Sequence, residues 1–227
     1  MTFECKFCKK SYVKESTLVA HLCEPKRRYN QQQEQGVQIG FNAYLKFYEI
    51  TQGSARLKTY DDFCSSNFYI AFVRYGRWAV DIRAVNVQSL TEWLLKNNHK
   101  LDHWTKENLY VSWLKEYIRR ESPQDAIERA LKEMQEYADT EADLQNNFAN
   151  YFKFGSTNRI SKHISDGRIS PWIIYNCHSG IEWLSQANPE QIAIIMPMID
   201  PDFWQKKFKD YLADTEWVKM ILQKAGL

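Results

Sequence analysis

Four times along this 227-residue chain, a residue that caps helices stands directly before a proline: Ser122-Pro123, Ser170-Pro171, Asn188-Pro189 and Asp200-Pro201. The first helical position needs no N–H partner and suits the fixed φ of proline, while the short polar side chain before it accepts from an N–H further on. After three of the four, an acid follows in the first turn (Asp125, Glu190 and Asp202), where the positive helix end favours it. Apolar spacing agrees. Phe41, Tyr44, Leu45 and Tyr48 recur at i, i+3, i+4 and i+7, and Ile127, Leu131 and Met134 at i, i+4 and i+7. Further helices are expected over 60–66, 67–83, 87–97, 105–120, 140–152, 156–166, 171–186, 201–211 and 214–225. Alternating, strand-like stretches are short and few, so residues 41–227 predict an all-α domain, with room for a sub-boundary near 140–155.

An aromatic share of 15% within a hydrophobic share of 44% supplies a substantial core and excludes bulk disorder. Aromatic stripes at helical spacing are read first as core, and only second as a stacking platform for bases. No apolar run approaches the ~18 residues that a membrane span needs. The N-terminal MTFECKFCKK lacks the apolar centre of a signal peptide. These features lead us to expect a cytoplasmic chain with no membrane partner.

The head of the chain obeys a different logic. Of five cysteines, three (Cys5, Cys8 and Cys23) fall in the first 23 residues, an odd cluster that suits a metal better than a disulfide framework. Cys64 and Cys177 stand alone and read as small buried apolar residues. The run Phe3-x-Cys5-x2-Cys8-x3-Tyr12-x5-Leu18-x2-His21 matches the two-Cys–two-His zinc-finger consensus through its first three ligands and its three core positions. A Cys-x2-Cys knuckle on a hairpin brings two thiolates to one ion, and the following helix presents His21 from its inner face. So small a module cannot fold on apolar burial alone, so the metal supplies most of its stability.

The fourth ligand departs from the consensus. With three to five residues between them, the consensus would place the fourth ligand at Pro25, Lys26 or Arg27, and Cys23 is the nearest donor. On a regular helix, residues two apart point about 200° away from each other, so the helix must end for His21 and Cys23 to share an ion. Pro25, which cannot continue a helix, permits this. The expected site is zinc held by Cys5, Cys8, His21 and Cys23, in a finger of 1–29 with a basic tail. The polar stretch from Asn30 to Gly36 suggests a linker, placed over 30–40.

Charge is uneven. Residues 1–29 hold seven Lys/Arg and three Glu, a formal +4, whereas 121–143 hold eight acids and two bases, a formal −6. The basic head favours a polyanion, and the acidic stretch reads as a solvated helix face. In the finger register the base-facing positions are Lys14, Thr17 and Ala20, which lack the Arg or Asn of strong base readout. Lys9, Lys10, Lys14 and the triplet Lys26-Arg27-Arg28 suit phosphates, which position without specifying. A protein partner fits the finger equally well.

In the body, residues 156–172 outline helix, glycine bend at Gly167, then capped helix, and 153–168 carry a formal +3 with Arg159, Lys162 and Arg168. This is either a helix-turn-helix or an αα-hairpin that packs Ile160, Ile164, Ile169 and Trp172 in the core. The second helix has too few polar donors to read bases, which favours the hairpin. No phosphate loop, zinc-protease helix or serine elbow is present. His99 and His103, at i and i+4, resemble part of a nuclease cluster without its carboxylates. A non-enzyme is expected.

The stretches CKFCKKSYVKESTLVAHLCEPKRR, IGFNAYLKFYEI, NRISKHISDGRISPW and IDPDFWQKKFKDY resemble a zinc-finger protein family of T-even-like tailed phages, marine ones especially. That resemblance brings no activity with it and would place the chain in host-cell cytoplasm. The pattern of Ile160, Ile164, Ile169-Ser170 and Trp172 is also similar to the helicase-loading proteins of those phages, all-helical replication factors that bind forked DNA and have no zinc finger. Together these imply a nucleic-acid-binding accessory factor of replication, recombination or transcription, on DNA before RNA, with its helical body docked to a protein of that machinery. A purely protein-binding adaptor is the alternative.

Overall fold

The computed structural model describes residues 2–53 and 57–227. Among them the chain is mainly helical, with a single two-stranded sheet in the head, and divides into two compact units, the first ending at Tyr110 and the second running Val111–Leu227. No helix among the described residues is long and apolar enough to cross a membrane.

The first unit opens with strands β1 (Phe3–Glu4) and β2 (Ser11–Tyr12), antiparallel with Phe3 opposite Tyr12, followed by helix α1 (Glu15–Ala20). Then come α2 (Glu24–Asn30), α3 (Gln35–Gln52), α4 (Tyr60–Ser65), α5 (Tyr69–Asp81), α6 (Val87–Lys96) and a 3-10 turn at Leu101–His103. Helix α7 (Glu107–Arg120) contains the point at which the two units divide. Of the stretch 30–40 expected as a linker, residues 35–40 already belong to α3. The acids after Thr59 complete a capping box: Thr59 Oγ1 accepts from the Asp62 N–H, and Asp62 accepts from the Thr59 N–H.

The core of this unit is aromatic. Tyr44, Phe63, Phe72, Tyr75 and Trp104 are fully or almost fully buried and meet edge-on or tilted, with ring centroids 5.1–5.8 Å apart for Tyr44–Phe63, Tyr44–Phe72, Phe72–Trp104 and Tyr75–Trp104. Helices α3 and α5 cross at glycines. A Cβ on Gly76 would lie 2.0 Å from the Gly36 carbonyl oxygen, so the backbones touch where only hydrogen fits.

The second unit holds α8 (Pro123–Ala138), 3-10 turns at Ala142–Leu144 and Phe148–Asn150, α9 (Tyr151–Phe154), α10 (Thr157–Ser165), α11 (Pro171–Ile174), α12 (His178–Gln186), α13 (Pro189–Ile199), α14 (Pro201–Asp210) and α15 (Leu212–Lys224). All four cap–proline pairs start helices, and each cap side chain accepts from an N–H two or three residues on. The sequence expects one helix over 140–152. Instead Gln145 and Asn146 adopt left-handed backbone (φ 52° and 54°), which a continuous helix cannot contain. The helix expected over 171–186 is likewise two, α11 and α12, with Cys177 extended as the cap of α12.

The glycine bend resolves as a packed hairpin. Ile160, Ile164, Ile169 and Trp172 are all fully buried, and α11 is buried along its length, so it offers no face to a DNA groove. Gly167 sits at φ 74°, and a Cβ there would press on Leu114 at 2.7 Å. A buried bidentate ion pair, Arg129 to Glu121 at 2.6 and 2.9 Å, braces this hairpin. Arg129 Nε also donates to the Gly167 carbonyl, and Ser170 Oγ to Glu121.

Candidate metal centre

The hairpin turn brings Cys5 and Cys8 together. The Cys5 N–H donates to the Lys10 carbonyl at 2.9 Å and the Lys9 N–H to the Cys5 carbonyl at 2.8 Å, with Lys9 in the left-handed region at φ 59°. This folds the chain tightly around Cys5, which is 3% exposed. Amides point at the thiols: those of Cys8 and Phe7 favour the Cys5 thiolate, and that of Lys10 favours the Cys8 thiolate. Such N–H···S bonds orient thiolate ligands and spread their charge.

Helix α1 ends where the sequence requires it to end. His21 is its C-cap, with extended backbone (φ −67°, ψ 123°), and Cys23 is extended too (φ −83°, ψ 163°), as the cap of α2. In extended chain, residues two apart face the same side, which removes the helical obstacle to a His-x-Cys chelate. Pro25 lies in the first turn of α2, so the same residue that blocks continuation of α1 opens the next helix.

The four donor atoms lie within 4.8 Å of one another, and this is the only group of three or more metal-ligating side chains among the described residues. Cys5 Sγ and Cys23 Sγ are 3.9 Å apart, and Cys8 Sγ and His21 Nε2 are 3.2 Å apart. Around a tetrahedral zinc, bonds of ~2.3 Å to sulfur and ~2.0 Å to nitrogen set edges of roughly 3.5–3.8 Å. The Cys5–Cys23 and Cys8–His21 spacings straddle those edges and the others reach no further than 4.8 Å, so shifts of about 1 Å or less would bring the four donors onto one zinc ion. Its electrostatics point the same way. The amides of Cys8 and Phe7 hold the Cys5 thiol down at about 7, whereas Cys8 is pushed up despite the Lys10 amide, because burial and the neighbouring Cys5 and Cys23 sulfurs oppose a second negative charge. A cation at the centre would remove that conflict. Tyr12 packs against the His21 ring at 4.9 Å, in the role expected of a miniature core.

The expected phosphate contacts divide into two groups. Lys9, Lys10 and Lys14 are exposed and make no ion pair among the described residues. Lys26 instead donates to the His21 and Val19 carbonyls at 2.9 and 3.3 Å, closing the C-terminal end of α1. Arg27 pairs with Glu24. Arg28 is mostly buried. It donates to the Cys64 carbonyl at 2.8 Å, bonds Glu24 at 3.1 Å and lies 4.6 Å over the Tyr69 ring. In the second unit, Lys162 and Arg168 both pair with Asp166, Arg168 also reaches Glu133, and Arg159 covers the Tyr137 ring at 5.7 Å.

The head is therefore fastened to its own unit. The Arg28 carbonyl accepts from Tyr60 Oη at 2.9 Å, and Phe7 meets Tyr29, which meets Tyr60, at 5.2 and 6.1 Å between centroids. Sequence reasoning missed this role of Arg28. Its only signal was that the basic triplet follows the last ligand directly, and phosphate binding predicts the same placement. The isolated Cys64 and Cys177 are buried, in line with expectation. His99 stacks on Trp93 at 5.1 Å, and neither it nor His103 belongs to a metal-binding group among the described residues.

No protein family, curated protein or solved structure matches this chain.

Proposed function

We propose that the chain is a non-enzymatic nucleic-acid-binding accessory factor of phage replication, recombination or transcription, in which a zinc-stapled head grips phosphates and the helical body docks a protein of that machinery. The observation that carries this reading is the exposed trio Lys9, Lys10 and Lys14 on the hairpin and helix start beside the Cys/His cluster, in no ion pair among the described residues. With Lys26 and Arg28 turned to backbone carbonyls, the footprint on the head shrinks to these three side chains. Such a footprint positions phosphates and reads no bases. About three phosphate contacts on duplex DNA give a slope of about −2.7 in log affinity against log salt, so binding falls roughly 40-fold between 50 and 200 mM. Titration of duplex DNA, single-stranded DNA and RNA across that range tests it. No retention at the lowest salt removes the reading.

A second reading has an observation of its own. Val13, Val19 and Leu22 on the head are 82%, 72% and 62% exposed, an aliphatic set with no use on phosphates and a clear use as a docking knob for another polypeptide. Replacing all three by Ser would abolish partner capture under this reading and leave nucleic-acid binding intact under the first.

A further inference from the structure

The second unit contains a cleft of about 570 Å³ where the corner between α7 and α8 faces α14 and the start of α15. Arg119, Arg120, Lys206 and Lys207 all line it. Three acids line it as well, but they do not neutralise it. Glu121 is turned inward, with its side chain fully buried and both oxygens held by Arg129 and Ser170. Arg119 is paired with Asp200, which leaves Asp210 and Asp214 as the accessible negative groups against Arg120, Lys206 and Lys207.

Lys207 is the unusual member. Its ammonium lies 5.3 and 5.1 Å over the rings of Trp172 and Trp204, and one N–H donates to the Arg119 carbonyl at 2.6 Å. Burial pushes it below the ordinary lysine value despite the attraction of Glu121 and Asp214. A half-buried ammonium with three donors and one carbonyl partner is a cation that an incoming anion would stabilise. The Arg119 guanidinium lies over the Phe203 ring at 4.4 Å and donates to Asp200 at 2.8 Å. The neighbouring Arg120 and Lys206 are exposed and reach the mouth. Tyr211, 55% exposed, adds an aromatic side chain to the lining.

We infer that this cleft binds a nucleotide unit, with the phosphate held by Lys207, Lys206 and Arg120 and the base laid on Tyr211. Guanidinium and ammonium groups converging in one cleft suit a phosphate better than a carboxylate, because several oxygens can be served at once. A cleft of this volume is too large for an inorganic ion alone and matches a small organic ligand. The site lies outside the zinc-stapled head and does not depend on the function proposed for that head.

The test is calorimetric titration of the zinc-loaded full chain with adenosine monophosphate, adenosine and inorganic phosphate, beside a short single strand with and without a terminal phosphate. Adenosine monophosphate should bind saturably and at least tenfold more tightly than adenosine or phosphate. The phosphorylated strand should outbind its unphosphorylated twin if the source is a strand end, and the two should be equal if it is free nucleotide. The double variant Arg120→Ala/Lys206→Ala changes only exposed side chains and should weaken the monophosphate at least tenfold. Lys207→Met, which keeps the packing against the tryptophans, should do the same with an unchanged circular dichroism spectrum. The variant Lys9→Ala/Lys10→Ala/Lys14→Ala should leave nucleotide binding unaltered while losing whatever affinity the head has for nucleic acid. Absence of saturable binding at millimolar monophosphate overturns the inference, as does equal binding by Arg120→Ala/Lys206→Ala or loss of binding through the head variant.

Discussion

Adjacent arginines in the basic tail should behave oppositely when truncated. Arg28→Ala removes a charged donor from the Cys64 carbonyl at the C-terminal end of α4, a weaker one at 3.5 Å from the Ser66 carbonyl, and the cation–π contact with Tyr69. A charge-assisted hydrogen bond to a part-buried carbonyl contributes about 1.5–3 kcal/mol. A partly desolvated cation–π contact adds about 1 kcal/mol. The ion pair with the half-exposed Glu24 adds only a few tenths, roughly the value of a surface pair. These contacts share one side chain and do not simply sum, so the expected loss is about 3 kcal/mol. Arg27→Ala, one residue earlier, loses only the exposed pair with Glu24 and should cost under about 0.5 kcal/mol. Urea titration of the zinc-loaded chain, followed by aromatic fluorescence of the first unit, measures both. Equal losses would refute the assignment of Arg28 as the bolt that fastens the head to α4.

Gly76→Ala places a methyl group against the Gly36 carbonyl and should destabilise the first unit by about 3 kcal/mol or more in the same urea assay. The carboxyl of Glu34, held below its ordinary 4.5 by the hydrogen-bonding Arg77 guanidinium, stabilises the ionised folded state. That stability is present above pH 4.5 and lost as pH falls through the lowered value, so Glu34→Gln should flatten the acid limb of the stability profile. An acid limb unchanged by the substitution would contradict the pairing. Cys64→Ala and Cys177→Ala should leave metal content untouched, whereas Cys8→Ala should abolish it, as read by metal analysis after dialysis.

Local chemistry was legible in the residues, and long-range chemistry was not. The cap–proline pairs announced their helices because both the signal and its consequence lie within four residues. The grouping of Cys5, Cys8, His21 and Cys23 was legible for the same reason, since Pro25 and the spacing of Cys23 from His21 already demand that α1 stop. The failures fall where distant parts decide. Nothing near Gln145-Asn146 says that two successive residues turn left-handed, because the apolar spacing around them still suits a helix. The basic tail reads as a phosphate grip until the fold brings α4 beneath it, and a positive charge that caps a carbonyl looks, in sequence, like any other. Lys207 was invisible as a binding group because only the packing of Trp172 and Trp204 around it makes it unusual.

In the proposed head, one ion joins three sulfurs and one imidazole nitrogen. X-ray absorption at the zinc edge of the purified full chain measures this directly. One zinc per chain with a three-sulfur, one-nitrogen shell is predicted, falling to two sulfurs in Cys23→Ser. A chain that holds no stoichiometric zinc, or a shell unchanged by that substitution, would contradict it.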